Sequence, residues 1–80
     1  MTDVEILAGI AEVAREHLGF EGELRPEMRL AGELRLDSLK LLTLAIEVEN
    51  RFRVRLDDQD ESTIETIADL VAAIRSRLGD

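Results

Sequence analysis

Apolar residues recur at helical spacing in three separated stretches of this chain, and that periodicity restricts it to helices packed on helices. In the first stretch, residues 2–18, Ile6, Ile10 and Val13 centre a stripe that Leu7, Ala14 and Leu18 widen. Thr2 followed by Glu5 has the Thr-x-x-Glu form of a capping box, and Gly19 stands where the helix would stop. The second stretch opens at Asp37 and Ser38 and runs to Phe52 or Arg53, with Arg51 and Arg53 suited to the negative pole at a helix end. A third begins near Thr66, carries Asp69 in its first turn and packs Ile67, Leu70, Val71, Ile74 and Leu78. Between the first two, the pattern dissolves over residues 20–36, which hold Pro26, Gly22 and Gly32. Connections of that length usually have a role, and Phe20, Leu24, Met28, Leu30 and Leu34 are placed to pin this one over the helices. Asp57, Asp58, Asp60 and Glu61 leave room for a short helical turn; they lack the glycine and terminal glutamate of a calcium loop and read as a solvated connector. The expected fold is all-α, a four-helix bundle with three main helices, one short helix and a long first loop, in a single domain over residues 1–80.

The chain has no cysteine, which excludes disulfides and thiolate metal sites and fits a reducing compartment. Its core must therefore suffice alone, and with Phe20 and Phe52 the only aromatics, that core is aliphatic. A formal net charge of −8 opposes binding to phosphate backbones and anionic membranes and favours basic patches on protein partners. No apolar run is long enough to span a bilayer and the N-terminus lacks a signal-peptide core, so a cytoplasmic monomer is expected.

No catalytic set can be assembled. The single histidine, His17, lies on the first helix with no second ligand at metal spacing, and neither a GxxxxGK[ST] loop nor a GxSxG elbow occurs. The expectation is a non-enzyme whose function is carried by something attached to it or bound by it.

The segment from Glu33 to Phe52 reads ELRLDSLKLLTLAIEVENRF. Asp and Ser before an apolar run also describe an ordinary helix start. The register of the whole segment goes further, and it resembles the phosphopantetheine-binding signature of the acyl carrier protein family. Counting onward from Ser38, Leu44, Val48, Glu49, Phe52 and Leu56 fall where that family has its leucines, glutamate, phenylalanine and isoleucine, and Thr66-Ile67-Ala68-Asp69-Leu70 looks like its opening of the final helix. The resemblance covers essentially the whole chain. It implies an acyl-carrier-like bundle in which a phosphopantetheinyl transferase moves 4′-phosphopantetheine from coenzyme A onto the Ser38 hydroxyl. The arm then carries acyl groups as thioesters to an acyl ligase or acyltransferase, a ketosynthase and related enzymes of fatty-acid, polyketide or other lipid assembly. It also implies that Asp37, besides capping the helix, presents a carboxylate to the transferase and its magnesium.

Read at about 100° per residue, Leu41, Leu44, Ala45, Val48 and Phe52 of the second helix share a core face. Leu39, Leu42 and Ile46 fall outside it at the i, i+3, i+7 spacing of a helix offering anchors to a partner's groove; with Glu49 they form the expected partner surface. Leu44, Val48, Leu56, Ile64 and Ala68 are the expected lining of an acyl-chain pocket. Two departures from the family pattern stand out. Arg35 occupies a position that is often glycine and Leu36 one that is often small, while Lys40 and Thr43 replace acids usual in fatty-acid carriers. They point to a specialised carrier for polyketide or modified-lipid assembly. An aminoacyl or peptidyl carrier, and an unmodified helical adaptor using the same apolar strip, are the alternative readings.

Overall fold

The structure is a computed structural model that describes residues 1–57 and 62–79. Its helices are α1 (Asp3–Leu18), α2 (Ser38–Phe52) and α3 (Ile67–Leu78), with no named strand among the described residues. Of the acidic connector expected to form a short helical turn, Asp58, Asp60 and Glu61 lie outside the described residues.

Each helix begins and ends on local chemistry. Thr2 caps α1 by accepting from the Glu5 N–H at 3.2 Å while Glu5 accepts from the Thr2 N–H at 2.9 Å, the reciprocal pair anticipated from sequence. Thr66 and Asp69 repeat that box at α3, and Gly19 and Gly79 end α1 and α3 in the left-handed conformation. At the end of α2 the left-handed position falls to Arg53, with φ 55°. A non-glycine residue there costs about 1–2 kcal/mol.

The stripes meet in one aliphatic core in which Ile6, Ile10, Val48, Ile67 and Ile74 are almost wholly excluded from solvent. Helices α1 and α2 meet at Gly9, where an added Cβ would lie 2.5 Å from Cζ of the Phe52 ring. The ring fills the space that glycine leaves open. Ion pairs latch the rims: Arg51 to Glu12 at 2.8 Å joins α2 to α1, and both carboxylate oxygens of Asp3 accept from Arg75 of α3 at 2.8 Å.

The connection between α1 and α2 is fastened to the start of α3. The Ile67 N–H donates to the Met28 carbonyl at 2.9 Å and the Ala68 N–H to that of Pro26 at 2.8 Å; Leu30 donates in return to Glu65 at 3.0 Å. With Asp69 N–H given to Thr66 Oγ1, the first three amides of α3 all have acceptors, two of them from the loop. Leu24, Met28, Leu30 and Leu36 are buried along this connection and Phe20 and Leu34 partly so, as their spacing in an aperiodic stretch led one to expect. Each fully buried leucine contributes about 1.5–3 kcal/mol over an exposed one, which holds a loop of irregular backbone in place.

Two stability tests follow from this packing. Gly9→Ala gains about 1 kcal/mol of helix propensity but overpacks Phe52 at a cost of about 1–3 kcal/mol, so it should be neutral to destabilising in the wild-type background. In a Phe52→Leu background the same substitution should stabilise, and paired urea titrations would read the change of sign. Two carboxylates supply the second test. Asp69 is held below its ordinary range because the Glu65 and Thr66 backbone N–H groups donate to it, and Glu5 because the Thr2 N–H does. A carboxylate with a depressed folded-state value leaves the unfolded chain binding more protons, so its contribution is complete above the ordinary carboxylate range and is lost as pH falls through the depressed values. The stability gap between wild type and Asp69→Asn should therefore be open at pH 7 and close in strong acid, as measured by denaturant unfolding at each pH.

Candidate functional site

The approach to α2 is set by alternating exposed and buried residues. Arg35 turns the chain with φ 54°, Leu36 drops into the core with its N–H donated to the Leu30 carbonyl at 3.2 Å, and Asp37 returns to the surface in extended conformation. Ser38 is then the first residue of α2 and is exposed. Asp37 caps the helix, its Oδ1 accepting from the Lys40 N–H at 2.9 Å and its carbonyl from Leu41 N–H at 2.8 Å. The amides of Ser38 and Leu39 stand ahead of these in the first turn, where a helix offers no acceptor of its own and where its dipole favours an anion.

Beside Ser38 lies a cavity of about 340 Å³ between α2, the loop and the segment leading into α3. Leu44, Leu56 and Ile64, three of the five residues named from sequence for an acyl pocket, line it. Two other expected residues do not. Val48, one turn further along α2 than Leu44, is 0% exposed and packed into the core, and Ala68 is exposed beside Pro26 on a separate groove of α3. Among the described residues Leu30, Leu41, Leu42, Ala45 and Leu70 also line it, with Ser38 the one polar side chain among them. Leu41 and Ala45 had a signal, since they share the core face of α2 with Leu44. Leu30 had none, because a residue in an aperiodic loop announces no direction.

Along the other face of α2, Leu39, Leu42 and Ile46 are 72%, 54% and 45% exposed. Leu42 also borders the cavity, joining the exposed strip to its mouth. Glu49 behaves differently from an outward-facing acid: it is half-buried, its Oε2 accepts from the Leu56 N–H at 2.8 Å, and its carbonyl accepts from Val54 N–H at 3.1 Å. It ties the chain leaving α2 back onto the helix. Thr43 Oγ1 donates to the Leu39 carbonyl at 3.0 Å, and the exposed His17 lies with Nε2 3.4 Å from Glu47 Oε1, linking α1 to α2. Among the described residues no cluster of His, Asp and Glu could hold a metal ion, and no helix is long and apolar enough to cross a membrane.

Residues 8–74 match the protein family described as a phosphopantetheine attachment site. The chain is 37% identical over 76 residues to the meromycolate extension acyl carrier protein of Mycobacterium tuberculosis, an alignment covering 94% of this chain and 66% of that longer relative. It is 34% identical over 68 residues to the acyl carrier protein of Myxococcus xanthus, covering 84% and 86% of the two chains. The crystal structure of an acyl carrier protein from Thermotoga maritima superposes with a TM-score of 0.87 at 26% identity, covering 96% of this chain and 91% of the other.

The backbone at Arg35 suits glycine better than arginine, because a left-handed φ is free of steric cost to glycine and strained for arginine. Arg35→Gly should be neutral or stabilise by up to about 1 kcal/mol, the relief of strain being partly offset by greater freedom of the unfolded chain. Arg35→Val, β-branched at a positive φ, should cost about 1–3 kcal/mol. Denaturant midpoints of the two variants would rank them on either side of wild type.

Proposed function

The chain belongs to the acyl carrier protein family, and we propose that it carries acyl groups as thioesters on a 4′-phosphopantetheine arm attached through the hydroxyl of Ser38. The observation that carries this reading is the position of Ser38, exposed at the first residue of α2 and bordering an apolar cavity. In the attachment step the Ser38 oxygen forms a new bond to the phosphorus that bears pantetheine in coenzyme A, the pyrophosphate bond breaks, and the adenosine bisphosphate part leaves. The serine proton goes to a base of the transferase. Ser38 and Leu39 amides at the helix start favour the resulting phosphodiester anion. Asp37, whose Oδ1 is committed to the cap, has a second carboxylate oxygen to offer the transferase's magnesium. The bound arm supplies a terminal thiol, on which acyl groups are activated for transfer and condensation.

The chain's own residues then divide the work. Leu39, Leu42 and Ile46 offer apolar anchors to the transferase, acyl ligase or acyltransferase, ketosynthase and related enzymes. Leu44, Leu56 and Ile64, with Leu41 and Ala45, shelter the acyl chain between visits in a volume of roughly ten water molecules. The loss of acids at Lys40 and Thr43, together with likeness to a meromycolate-extension carrier, supports a specialised lipid pathway over housekeeping fatty-acid synthesis. The short fourth helix of the acyl-carrier bundle belongs with this reading, supported by the helical backbone of Ser62 and Thr63.

Incubation with coenzyme A, magnesium and a promiscuous phosphopantetheinyl transferase should add one phosphopantetheine to the wild type and none to Ser38→Ala, read by intact mass with circular dichroism confirming that both are folded. On subsequent acylation, the methyl signals of Leu44, Leu56 and Ile64 should move. Equal mass for wild type and variant after treatment would reject the attachment, and unmoved methyl signals on a fully acylated sample would reject the shelter alone.

A further inference from the structure

The walls of the cavity beside Ser38 are apolar in their side chains and committed in their backbone. Among the described residues that line it, Ser38 has the one polar side chain, and attachment of the arm turns that hydroxyl into a phosphoester oxygen with no proton to donate. The backbone donors of the walls are spoken for as well. The Leu30 N–H goes to the Glu65 carbonyl at 3.0 Å, that of Leu41 to Asp37 at 2.8 Å and that of Leu70 to Thr66 at 3.1 Å. The Leu56 N–H goes to Glu49 Oε2 at 2.8 Å. Leu42, Leu44 and Ala45 lie in the body of α2, where each amide donates to the carbonyl one turn back. The amides without a helical acceptor, those of Ser38 and Leu39, stand at the helix start, where the phosphodiester takes them up.

We infer that the cargo sheltered here is a reduced acyl chain, and that a chain bearing oxo groups along its length is left at the surface. The inference rests on the carrier reading of Ser38 and names the class of cargo. An alkyl chain entering the cavity leaves water for apolar contact with the buried Leu30, Leu44, Leu56 and Leu70, a favourable exchange. A ketone oxygen makes the same move at a loss, because it gives up hydrogen bonds from water and meets no free donor on these walls. A hydroxyl loses less, since it can donate to the second lone pair of a backbone carbonyl. Selection is therefore sharpest between an alkyl and an oxo chain of equal length. The reactions that supply this site are then those that strip oxygen from a condensation product, by reduction and dehydration, and not repeated condensation alone.

The test loads the wild type from octanoyl-coenzyme A and from 5-oxooctanoyl-coenzyme A with a promiscuous transferase, each product being verified by intact mass. A cavity of about 340 Å³ has room for about ten groups the size of a water or a methylene, so either chain fits and the oxo group falls within the walls. Methyl shifts of Leu44, Leu56 and Ile64, referenced to the phosphopantetheine form without an acyl group and fitted over a temperature series, report the ratio of sheltered to exposed chain. That ratio should be at least about fivefold lower for the oxo chain than for octanoyl. Leu41→Gln adds an amide donor at a half-buried position of the wall and should narrow the gap, raising the ratio for the oxo chain and lowering it for octanoyl, with circular dichroism confirming the fold. Equal ratios for the two chains would overturn the inference and leave the shelter intact. A gap that the added donor leaves unchanged would overturn it too, by assigning the selection to shape. Methyl signals unmoved by either chain would overturn it together with the shelter, whereas a wild type that gains no mass would reject the carrier reading itself.

Discussion

The backbone exchange between the long connection and the first turn of α3 is the constraint on which the rest of the molecule depends. Two loop carbonyls, from Pro26 and Met28, receive the amides of Ala68 and Ile67, and the Glu65 carbonyl receives Leu30. Without disulfides, a small domain has few ways to hold an irregular segment against its helices. Here the helix needs acceptors for its first amides and the loop needs donors for its carbonyls, so each satisfies the other. The register fixed in this way buries Leu30 and Leu36. Leu36 in turn brings Asp37 and Ser38 to the surface in the orientation that starts α2. Ser38 is thus placed by contacts nearly thirty residues downstream in the chain, at the opening of the last helix.

Electrostatics follows the same economy of parts. The acids that matter to architecture sit at helix starts: Glu5 and Asp69 each accept from backbone amides and are held below their ordinary range for that reason. Glu49 does comparable work where α2 ends, receiving Leu56 and so closing the chain toward the cavity. Cations near helix ends engage acids of other elements, as Arg51 does with Glu12 and Arg75 with Asp3. What is left over is therefore informative. Around Ser38 the exposed cations Arg35 and Lys40 flank the exposed Asp37 carboxylate.

The helices and their ends were legible in the sequence because their determinants are local. A stripe with a 3.6-residue period, a Thr-x-x-Glu box and a following glycine all act within a few residues of one another, and the structure reproduces them at Thr2, Glu5 and Gly19. The outward strip of Leu39, Leu42 and Ile46 was legible for the same reason, since helical angle alone separates it from Leu44 and Val48. The cavity was legible only in part. Its α2 wall follows from periodicity, but Leu30 reaches it through the loop's hydrogen bonds to α3, which no local pattern encodes. Ala68 lies on a different groove, beside Pro26, whose carbonyl accepts its N–H, and no local pattern encodes that contact. Gly9 escaped notice, and Glu49 was read only as part of the outward surface, for a related reason: their contacts, with Phe52 and with Leu56, exist only once the elements are assembled.

Strain and function coincide at the two ends of α2. Arg35 and Arg53 both occupy left-handed backbone that glycine would take at no steric cost. Gly19 and Gly79 show that the chain uses glycine at such positions elsewhere, so the conformation itself does not explain arginine. Arginine there carries a steric cost of about 1–2 kcal/mol, partly offset because it restricts the unfolded chain more than glycine does. Neither side chain packs in the core or forms an ion pair among the described residues. What each does supply is an exposed guanidinium, one before Ser38 and one past the far end of the apolar strip. With Lys40, they set three cations along a segment that also carries the Asp37, Glu47 and Glu49 carboxylates, so what the two arginines add to α2 is charge at its ends and not a net sign along its face.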